Sequence, residues 1–250
     1  MIARRIAILT TALALLAVPA QAVDITAMSD DERAAFRDEV RAYLLDNPEI
    51  ILEAVALLEE RQAEAQAQAD NDLVAQHAEA LFNDGFSWVG GNPDGDITLV
   101  EFLDYRCGFC RRAMPEVTKL LENDGNIRLI IKELPILGDD SVRASRFAIA
   151  TKQVAGDDAY KQVHDALMGL NGTVGDVALR RIAEGLDLDA EAILTQMDSA
   201  DVSAEIAQTR ELAQALQING TPSFVLQDEL LRGFLPADQM AELVEEKRAR

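Results

Sequence analysis

The feature that most constrains this chain is a pair of cysteines, Cys107 and Cys110, separated by two residues. They are the only cysteines in the sequence, and a bridge between positions this close would close too short a loop to hold a fold together. An apolar run at 97–105 precedes them, a helical pattern continues to about residue 122, and a second apolar run follows at 126–133. This pattern predicts a strand–helix–strand unit with parallel strands, in which the cysteines lie at the first strand-to-helix junction.

Composition limits the classes of partner. Apolar residues make up 49% of the 250 residues, which is enough for a sizeable core. The chain has 23 basic and 44 acidic side chains, giving a formal net charge of −21. A surface this acidic repels phosphates, so we expect no nucleic-acid partner.

Residues 1–22 have the three parts of a secretory signal peptide. Arg4 and Arg5 form a positive region, residues 6–18 are apolar and uncharged, and Ala20-Gln21-Ala22 fits a cleavage site. A membrane anchor is the alternative, but this 13-residue run is short against the roughly 20 residues that span a bilayer. We expect export to the periplasm and a soluble mature chain.

Helices are predicted from residue 29 onwards. Ser29 or Asp30 can cap the first helix, and Pro48 suits the start of the second. Both have an apolar stripe, but in the stretch 59–72 the largest apolar residue is alanine. These helices either pack on the main domain or associate with other copies of the chain. We favour self-association and assign residues 23–82 to a helical oligomerisation module and stalk.

The remaining pattern alternates turns and helices. Glycines, Asn92 and Pro93 mark a turn-rich boundary at 90–95. Helical patterns fill 141–216, with breaks near Gly156, at 171–172 and at 185–187. A β-hairpin is predicted from 224–226 and 230–234, and a last helix begins near Ala237.

The cysteine pair is suited to thiol–disulfide exchange. At a helix N-terminus, unpaired N–H groups and the helix dipole favour the thiolate of Cys107, the expected exposed nucleophile. Cys110, one turn further on, is shielded and would resolve the mixed disulfide. Arg106, Arg111 and Arg112 add positive potential, although at least one of them is expected to be an ordinary surface residue. By analogy with other proteins that exchange thiols and disulfides, the reduction potential of the cysteine pair should lie at about −120 to −230 mV, tuned by the two residues between the cysteines.

Metal binding is the alternative use of two thiols. A structural zinc site needs four ligands, and the only histidines, His77 and His164, are far apart in the sequence. A Cu(I) ion held by Cys107 and Cys110 is chemically feasible as a side activity. We therefore expect no cofactor other than the redox-active cysteine pair.

Two further positions fit a redox centre. Glu101 lies within an otherwise apolar strand, where a buried carboxylate can exchange a proton with Cys110. Thr221-Pro222 directly precedes a predicted strand, where a cis bond would expose the Thr221 backbone to an extended client. The residues alone leave both the cis and the trans bond open.

The sequences FLDYRCGFC at 102–110 and GTPSF at 220–224 resemble those of DsbA-like disulfide oxidoreductases, closest to the suppressor-of-copper-sensitivity protein C (ScsC) branch. The resemblance extends to VRAYLLDNPE at 40–49 and so covers nearly the whole mature chain. It implies an α/β thioredoxin fold with an inserted helical domain. The parts would be 83–140, the insertion 141–205, and 206–250 with the cis-proline loop.

The resemblance also implies roles for individual residues. Cys107 would be the nucleophile, Cys110 the resolving thiol, Glu101 the buried acid and Pro222 the cis-proline. Thr221, with Gly108 and Phe109 between the cysteines, completes the expected client-binding set. Some members of the family form trimers through their N-terminal helices, and some bind copper.

The sequence thus predicts a periplasmic disulfide isomerase or reductase that acts on mispaired exported proteins. Its expected partners are further copies of itself and a membrane thiol donor that keeps it reduced. A DsbA-like dithiol oxidase and a copper(I)-binding protein are the alternatives.

Overall fold

The computed structural model describes residues 26–249, so the predicted signal peptide at 1–22 lies outside the described residues. The chain divides into two compact units, one up to Glu60 and the other from Arg61 onwards. The predicted domain limits at 82/83, 140/141 and 205/206 stay predictions. In the part of the chain described here, no helix is both long and apolar enough to cross a bilayer.

The N-terminal unit is built from helices that bury little. Helix α1 (Asp30–Asp46) begins with a capping box, in which Ser29 accepts from the Glu32 amide and the Glu32 carboxylate accepts from the Ser29 amide. Pro48 lies just before helix α2 (Glu49–Gln76), as its fixed backbone angle favours. The capping and the two predicted helices are confirmed. No residue of α1 is buried.

The second half of α2 belongs to the second unit. Asp70 forms a bidentate ion pair with Arg232, and Val74 is buried in the core together with Leu81 of the short helix α3 (Ala78–Phe82). The polar stretch 59–72, which has no wide apolar face, is still helical because its alanine, glutamine and glutamate residues are strong helix formers.

A five-stranded sheet forms the centre of the second unit, in the order β1-β3-β2-β4-β5. Its strands are β1 (Trp88–Gly91), β2 (Ile97–Leu103), β3 (Ile127–Glu133), β4 (Ser223–Leu226) and β5 (Glu229–Arg232). Strands β2 and β3 are parallel and joined by helix α4 (Gly108–Asp124), as the sequence predicts. The other pairs are antiparallel, and β4 and β5 form the predicted hairpin.

Strand β1 was not predicted, because its two glycines were interpreted as part of a turn. They allow close packing instead: a Cβ on Gly90 would lie 1.9 Å from the Trp88 ring. Gly91 has a positive φ of 66°, and a Cβ there would lie 2.4 Å from the carbonyl oxygen of Ile127. Glycine weakens the strand signal in the sequence but is required where backbone and ring approach this closely.

Five helices separate β3 from β4: α5 (Asp139–Ala155), α6 (Asp157–Gly169), α7 (Asp176–Gly185), α8 (Ala190–Gln196) and α9 (Ala200–Ala215). The three predicted breaks are confirmed. A further break before α9 was missed, where the Ser199 hydroxyl accepts from the Val202 amide and caps the helix.

The core covers both faces of the sheet. Alternate residues of β2 and β3 point to opposite faces, so Leu99 and Leu103 join one cluster while Val100 and Phe102 join the other. The predicted last helix, α10 (Ala237–Arg248), packs against α4 on the first of these faces. By alternation, Glu101 points into this same first face, although its carboxyl group is polar.

Candidate active site

The cysteine pair lies at the N-terminus of α4. Cys107 is the N-cap residue, and its amide donates to the Asp104 carbonyl oxygen at 3.0 Å. Cys110, one turn into the helix, is 0% exposed, and burial raises the pKa of its thiol far above the ordinary range. The order of exposure agrees with the prediction, but Cys107 is only 7% exposed rather than freely open.

The cause of that low exposure is the loop before β4. The Cys107 thiol donates a hydrogen bond to the Thr221 carbonyl oxygen at 3.0 Å, across 114 positions of sequence. Strand β4 pairs antiparallel with β2, which places Ser223 opposite Phe102 and thereby brings the Thr221–Pro222 loop to the end of β2. The Thr221–Pro222 bond is cis, as the resemblance implies. The structure thus brings Cys107, Cys110, Thr221 and Pro222 together.

The two residues between the cysteines differ in exposure and space. Phe109 is 55% exposed, and the Arg112 guanidinium lies 4.2 Å from its ring centroid, which keeps a cation near the opening of the site. A Cβ added to Gly108 would meet no atom within 4 Å among the described residues. Space around Gly108 is therefore open on the surface beside Cys107.

Of the three predicted arginines, Arg111 has a structural role. Its Nε donates to the Tyr105 carbonyl oxygen at 3.0 Å and its Nη2 donates to the Leu170 carbonyl oxygen at 2.8 Å. It thus ties the segment before Cys107 to the end of α6. Arg106 lies 3.9 Å from the Asp140 carboxylate, which partly balances its charge.

Glu101 is buried, as predicted from its apolar neighbours. Burial, followed by the negative charge of Glu133, raises its pKa to about 8. Its Oε1 has no hydrogen-bond partner in the described part of the protein. Because Glu101 also raises the pKa of the Cys110 thiol, the two groups interact electrostatically inside the core. This carboxyl is suited to exchange a proton with Cys110.

Asp104 also belongs to the site, although its role was not predicted from the sequence. Its buried carboxylate accepts from the amides of Arg106, Ile136 and Leu137 at 2.7, 2.8 and 3.0 Å. These bonds hold the turn before Cys107 against the loop after β3. An aspartate directly after a strand is typical of such a turn, and this signal could have found it.

Glu133 at the end of β3 was also missed. Its buried carboxylate accepts hydrogen bonds from the hydroxyls of Tyr105, Tyr160 and Ser145. Burial raises its pKa to about 7, against the opposing effect of these three donors. A carboxylate in a buried strand is the same signal that identified Glu101, but here it was not applied.

Neither histidine lies in a cluster of potential metal ligands among the described residues. His164 is buried beside Tyr105 and Tyr160, and burial lowers its pKa to about 4. Across residues 26–249 the structure contains no cluster of three or more His, Cys, Asp or Glu side chains that could hold a metal ion.

A dithiol at the N-terminus of a helix, in contact with a cis-proline loop at one end of a mixed sheet, defines a thioredoxin-type thiol–disulfide protein. Residues 98–246 match the DSBA-like thioredoxin domain family, and residues 32–65 match the copper resistance protein ScsC N-terminal domain. The chain belongs to the DSBA-like thioredoxin domain family and carries an ScsC-type N-terminal segment. Its thioredoxin fold and N-terminal helical module are of the DsbA and ScsC type.

Two solved structures illustrate the similarity. A thioredoxin-like oxidoreductase from Silicibacter pomeroyi DSS-3 is 45% identical, with a TM-score of 0.65, and the match covers 69% of this chain and 98% of that one. Proteus mirabilis ScsC in a transitional conformation is 28% identical, also with a TM-score of 0.65, and the match covers 89% and 99% of the two chains. The second match therefore includes most of the N-terminal unit.

Among curated proteins, a Na⁺/H⁺ antiporter, NhaA 3 of Salinispora tropica, is 31% identical over 54% of this chain. The chain spans only 21% of the length of that relative.

Proposed function

We propose that this protein is a periplasmic disulfide isomerase or reductase that works as an oligomer on mispaired exported proteins. The observation that carries the proposal is the apolar surface of the N-terminal unit. Phe36 is 51% exposed and lines a groove of about 420 Å³ with Val40, Leu44, Leu45 and Ile51. An apolar surface of this kind marks an interaction site, and the match to the ScsC N-terminal domain supports another copy of the chain as its partner.

The catalytic chemistry follows from the site. Cys107 attacks a client disulfide and forms a mixed disulfide, and the first thiolate of the client leaves. The extended backbone of the client would pair with the Thr221–Pro222 loop, while Gly108 and the exposed Phe109 contact its side chains. The mixed disulfide is resolved either by a client thiol, which completes isomerisation, or by Cys110, which completes reduction. In the second case Glu101 accepts the proton of Cys110.

Assembly supports isomerisation for a physical reason. Several reduced sites held around one misfolded client raise the effective concentration of the attacking thiol. Isomerisation also requires Cys107 to be reduced, so we assign a membrane thiol donor as the second partner. The predicted signal peptide at 1–22 supports export, and the compartment outside the cytoplasm is where client disulfides form.

The decisive experiment compares reactivation of scrambled ribonuclease by the reduced protein and by a Phe36→Asp, Val40→Asp variant. We expect the wild type to be oligomeric by light scattering and to restore ribonuclease activity. The variant should be monomeric and lose most of this reactivation, because charges on the groove oppose association. It should still reduce a small disulfide at the wild-type rate, since the cysteine pair lies in the other unit.

A control is Val177→Asp, which places a single negative charge on a 74% exposed valine of α7 and should change neither mass nor activity. A monomeric variant that reactivates ribonuclease as well as the wild type would contradict an assembly-dependent isomerase. Rapid oxidation of a reduced client by both forms, without reactivation, would identify a DsbA-like oxidase instead.

A further inference from the structure

The reaction described so far does not use the buried carboxylate of Glu133. In the parallel pairing of β2 and β3, Glu101 opposes Ile131 and Leu103 opposes Glu133. Side chains of opposed residues share a face, and residues two apart in a strand also share a face. Glu101 and Glu133 are therefore diagonal neighbours on the face that carries α4 and Cys110.

The two carboxyl groups have unequal surroundings. Glu133 Oε1 accepts from the Tyr105 and Tyr160 hydroxyls at 2.7 and 2.6 Å, and its Oε2 accepts from the Ser145 hydroxyl at 2.8 Å. Glu101 Oε1 has no such partner among the residues that the structure describes. A buried anion needs donors, whereas a neutral carboxylic acid tolerates their absence better. When the pair shares one negative charge, that charge therefore lies on Glu133 and the proton lies on Glu101.

Among the other titratable groups around Glu133, the two tyrosines and His164 are consistent with this assignment, whereas Asp104 opposes it. Burial and the charge of Glu133 raise the pKa of both tyrosines well above 10, so they remain neutral donors. Burial keeps His164 neutral, and its Nδ1 lies 3.2 Å from the Tyr105 hydroxyl. Because the Tyr105 proton points to Glu133, the His164 Nδ1–H is the donor in that contact. Asp104 adds a second negative charge nearby, which opposes ionisation of Glu133.

Glu133 also borders a small cavity. It lines a cavity of about 10 Å³ with Trp88, Lys152, Tyr160 and Glu205, which is room for about one water molecule. Burial raises the pKa of Glu205, and Lys152 supplies a cation to the lining. Glu133 thus has three hydrogen-bond donors and a small polar cavity beside it, whereas Glu101 Oε1 has no hydrogen-bond partner among the described residues.

We propose that Glu133 is a positioning residue for the resolution step: its negative charge keeps the proton on Glu101 at neutral pH and so limits deprotonation of Cys110. In that step the Cys110 proton moves to the ionised fraction of Glu101, and the Cys110 thiolate attacks Cys107 Sγ. The Cys107–Cys110 disulfide forms, the bond from Cys107 to the client breaks, and the client receives the electron pair as a thiolate. Raising the pH increases the fraction of ionised Glu101 and accelerates the step. The inference rests on Glu101 as the proton acceptor and holds whether or not the protein isomerises disulfides.

Stopped-flow reduction of the symmetrical disulfide of thionitrobenzoate tests this inference. The reduced protein releases the coloured thiol twice, first when Cys107 attacks and again when Cys110 resolves the mixed disulfide. In the wild type, the rate of the second release should rise with pH, with a midpoint near 8. Glu133→Gln should lower this midpoint by up to about one pH unit and speed the second release between pH 7 and 8, because Glu133, with a pKa of about 7, is ionised there in the wild type and the substitution removes its like charge.

Three further variants make the result specific. Thr209→Val changes a buried residue of the same cavity without changing charge, and should leave the midpoint in place. Ser145→Ala removes one of the three hydrogen-bond donors to Glu133 and should lower the midpoint by less than Glu133→Gln does. If Glu133→Gln does not fold, Ser145→Ala provides the test in its place. Glu101→Gln should remove the midpoint altogether.

The proposal would be overturned if the Glu133→Gln variant kept the wild-type midpoint, or if its midpoint shifted no more than that of Thr209→Val. So would an intact midpoint in Glu101→Gln, which would assign the titration to another group. Neither result depends on ribonuclease reactivation or on assembly, because the probe is a small disulfide.

Discussion

Helices α1 and α4 both contain 17 residues, yet they differ in almost every respect that matters for function. The N-terminus of α1 is capped by a serine and has three acidic residues in its first turn. The N-terminus of α4 has no acidic residue in its first turn and, within the described structure, no side-chain cap. Acidic groups thus stabilise the dipole of α1, whereas that of α4 remains available to the Cys107 thiolate.

The two helices also differ in burial. Helix α4 buries Cys110, Ala113, Val117 and Leu120 against its own unit, while α1 buries none of its residues. Helix formation is a local property, but burial needs a surface to pack against. The comparison therefore separates a unit that performs the chemistry from a unit whose apolar surface is suited to association.

The largest expected effect is that of Cys107→Ser, which tests whether the chemistry belongs to one unit alone. Exchange with any disulfide should fall to background, because Cys110 is fully buried and cannot replace the nucleophile. The mass of the assembled Cys107→Ser variant, measured by light scattering, should equal that of the wild type. Cys110→Ser is the matched control and should trap mixed disulfides with clients. Appreciable turnover by Cys107→Ser would contradict the assigned roles.

A second variant, Lys132→Met, should destabilise only the second unit. The buried Lys132 ammonium donates to the Ala80 carbonyl oxygen at 2.7 Å and pairs with the Asp84 carboxylate. Removing one partner leaves Asp84 uncompensated, so urea unfolding should show a loss of about 3 kcal/mol. Lys161→Met breaks an exposed pair with Asp165 and should cost less than about 0.5 kcal/mol. Equal losses in the two variants would show that burial of the pair does not matter.

The smallest expected effect is that of Ser29→Ala, which acts on the first unit. Loss of the capping box should cost about 1 kcal/mol and raise hydrogen exchange of the α1 amides about fivefold, with the second unit unchanged. Ser199→Ala, which removes the cap of α9, should give the reverse pattern. Exchange that changes in both units with either variant would argue that the units do not unfold separately.

The site residues that could be predicted are those whose signal comes from neighbouring positions in the sequence. The residues that were missed depend on contacts between distant positions. Cys107, Cys110 and Glu101 were found because their signals are local: a short spacing and a charge in an apolar run. The cis bond at Thr221–Pro222 needed the family resemblance, because the residues alone allow both isomers. The network around Glu133 was missed because Tyr105, Ser145 and Tyr160 are 12 to 28 positions away from it.

The sequence by itself determined the helices, the parallel pair of strands and the position of the thiols at a helix N-terminus. All of these depend on residue periodicity, caps and spacing, which act over a few positions. The tertiary structure alone decided that Thr221 covers Cys107, that β1 completes the sheet, and which of two buried carboxyls receives hydrogen bonds. The physical reason is that burial and hydrogen-bond partners come from residues far apart in sequence, and these set the protonation of the groups that carry out the reaction.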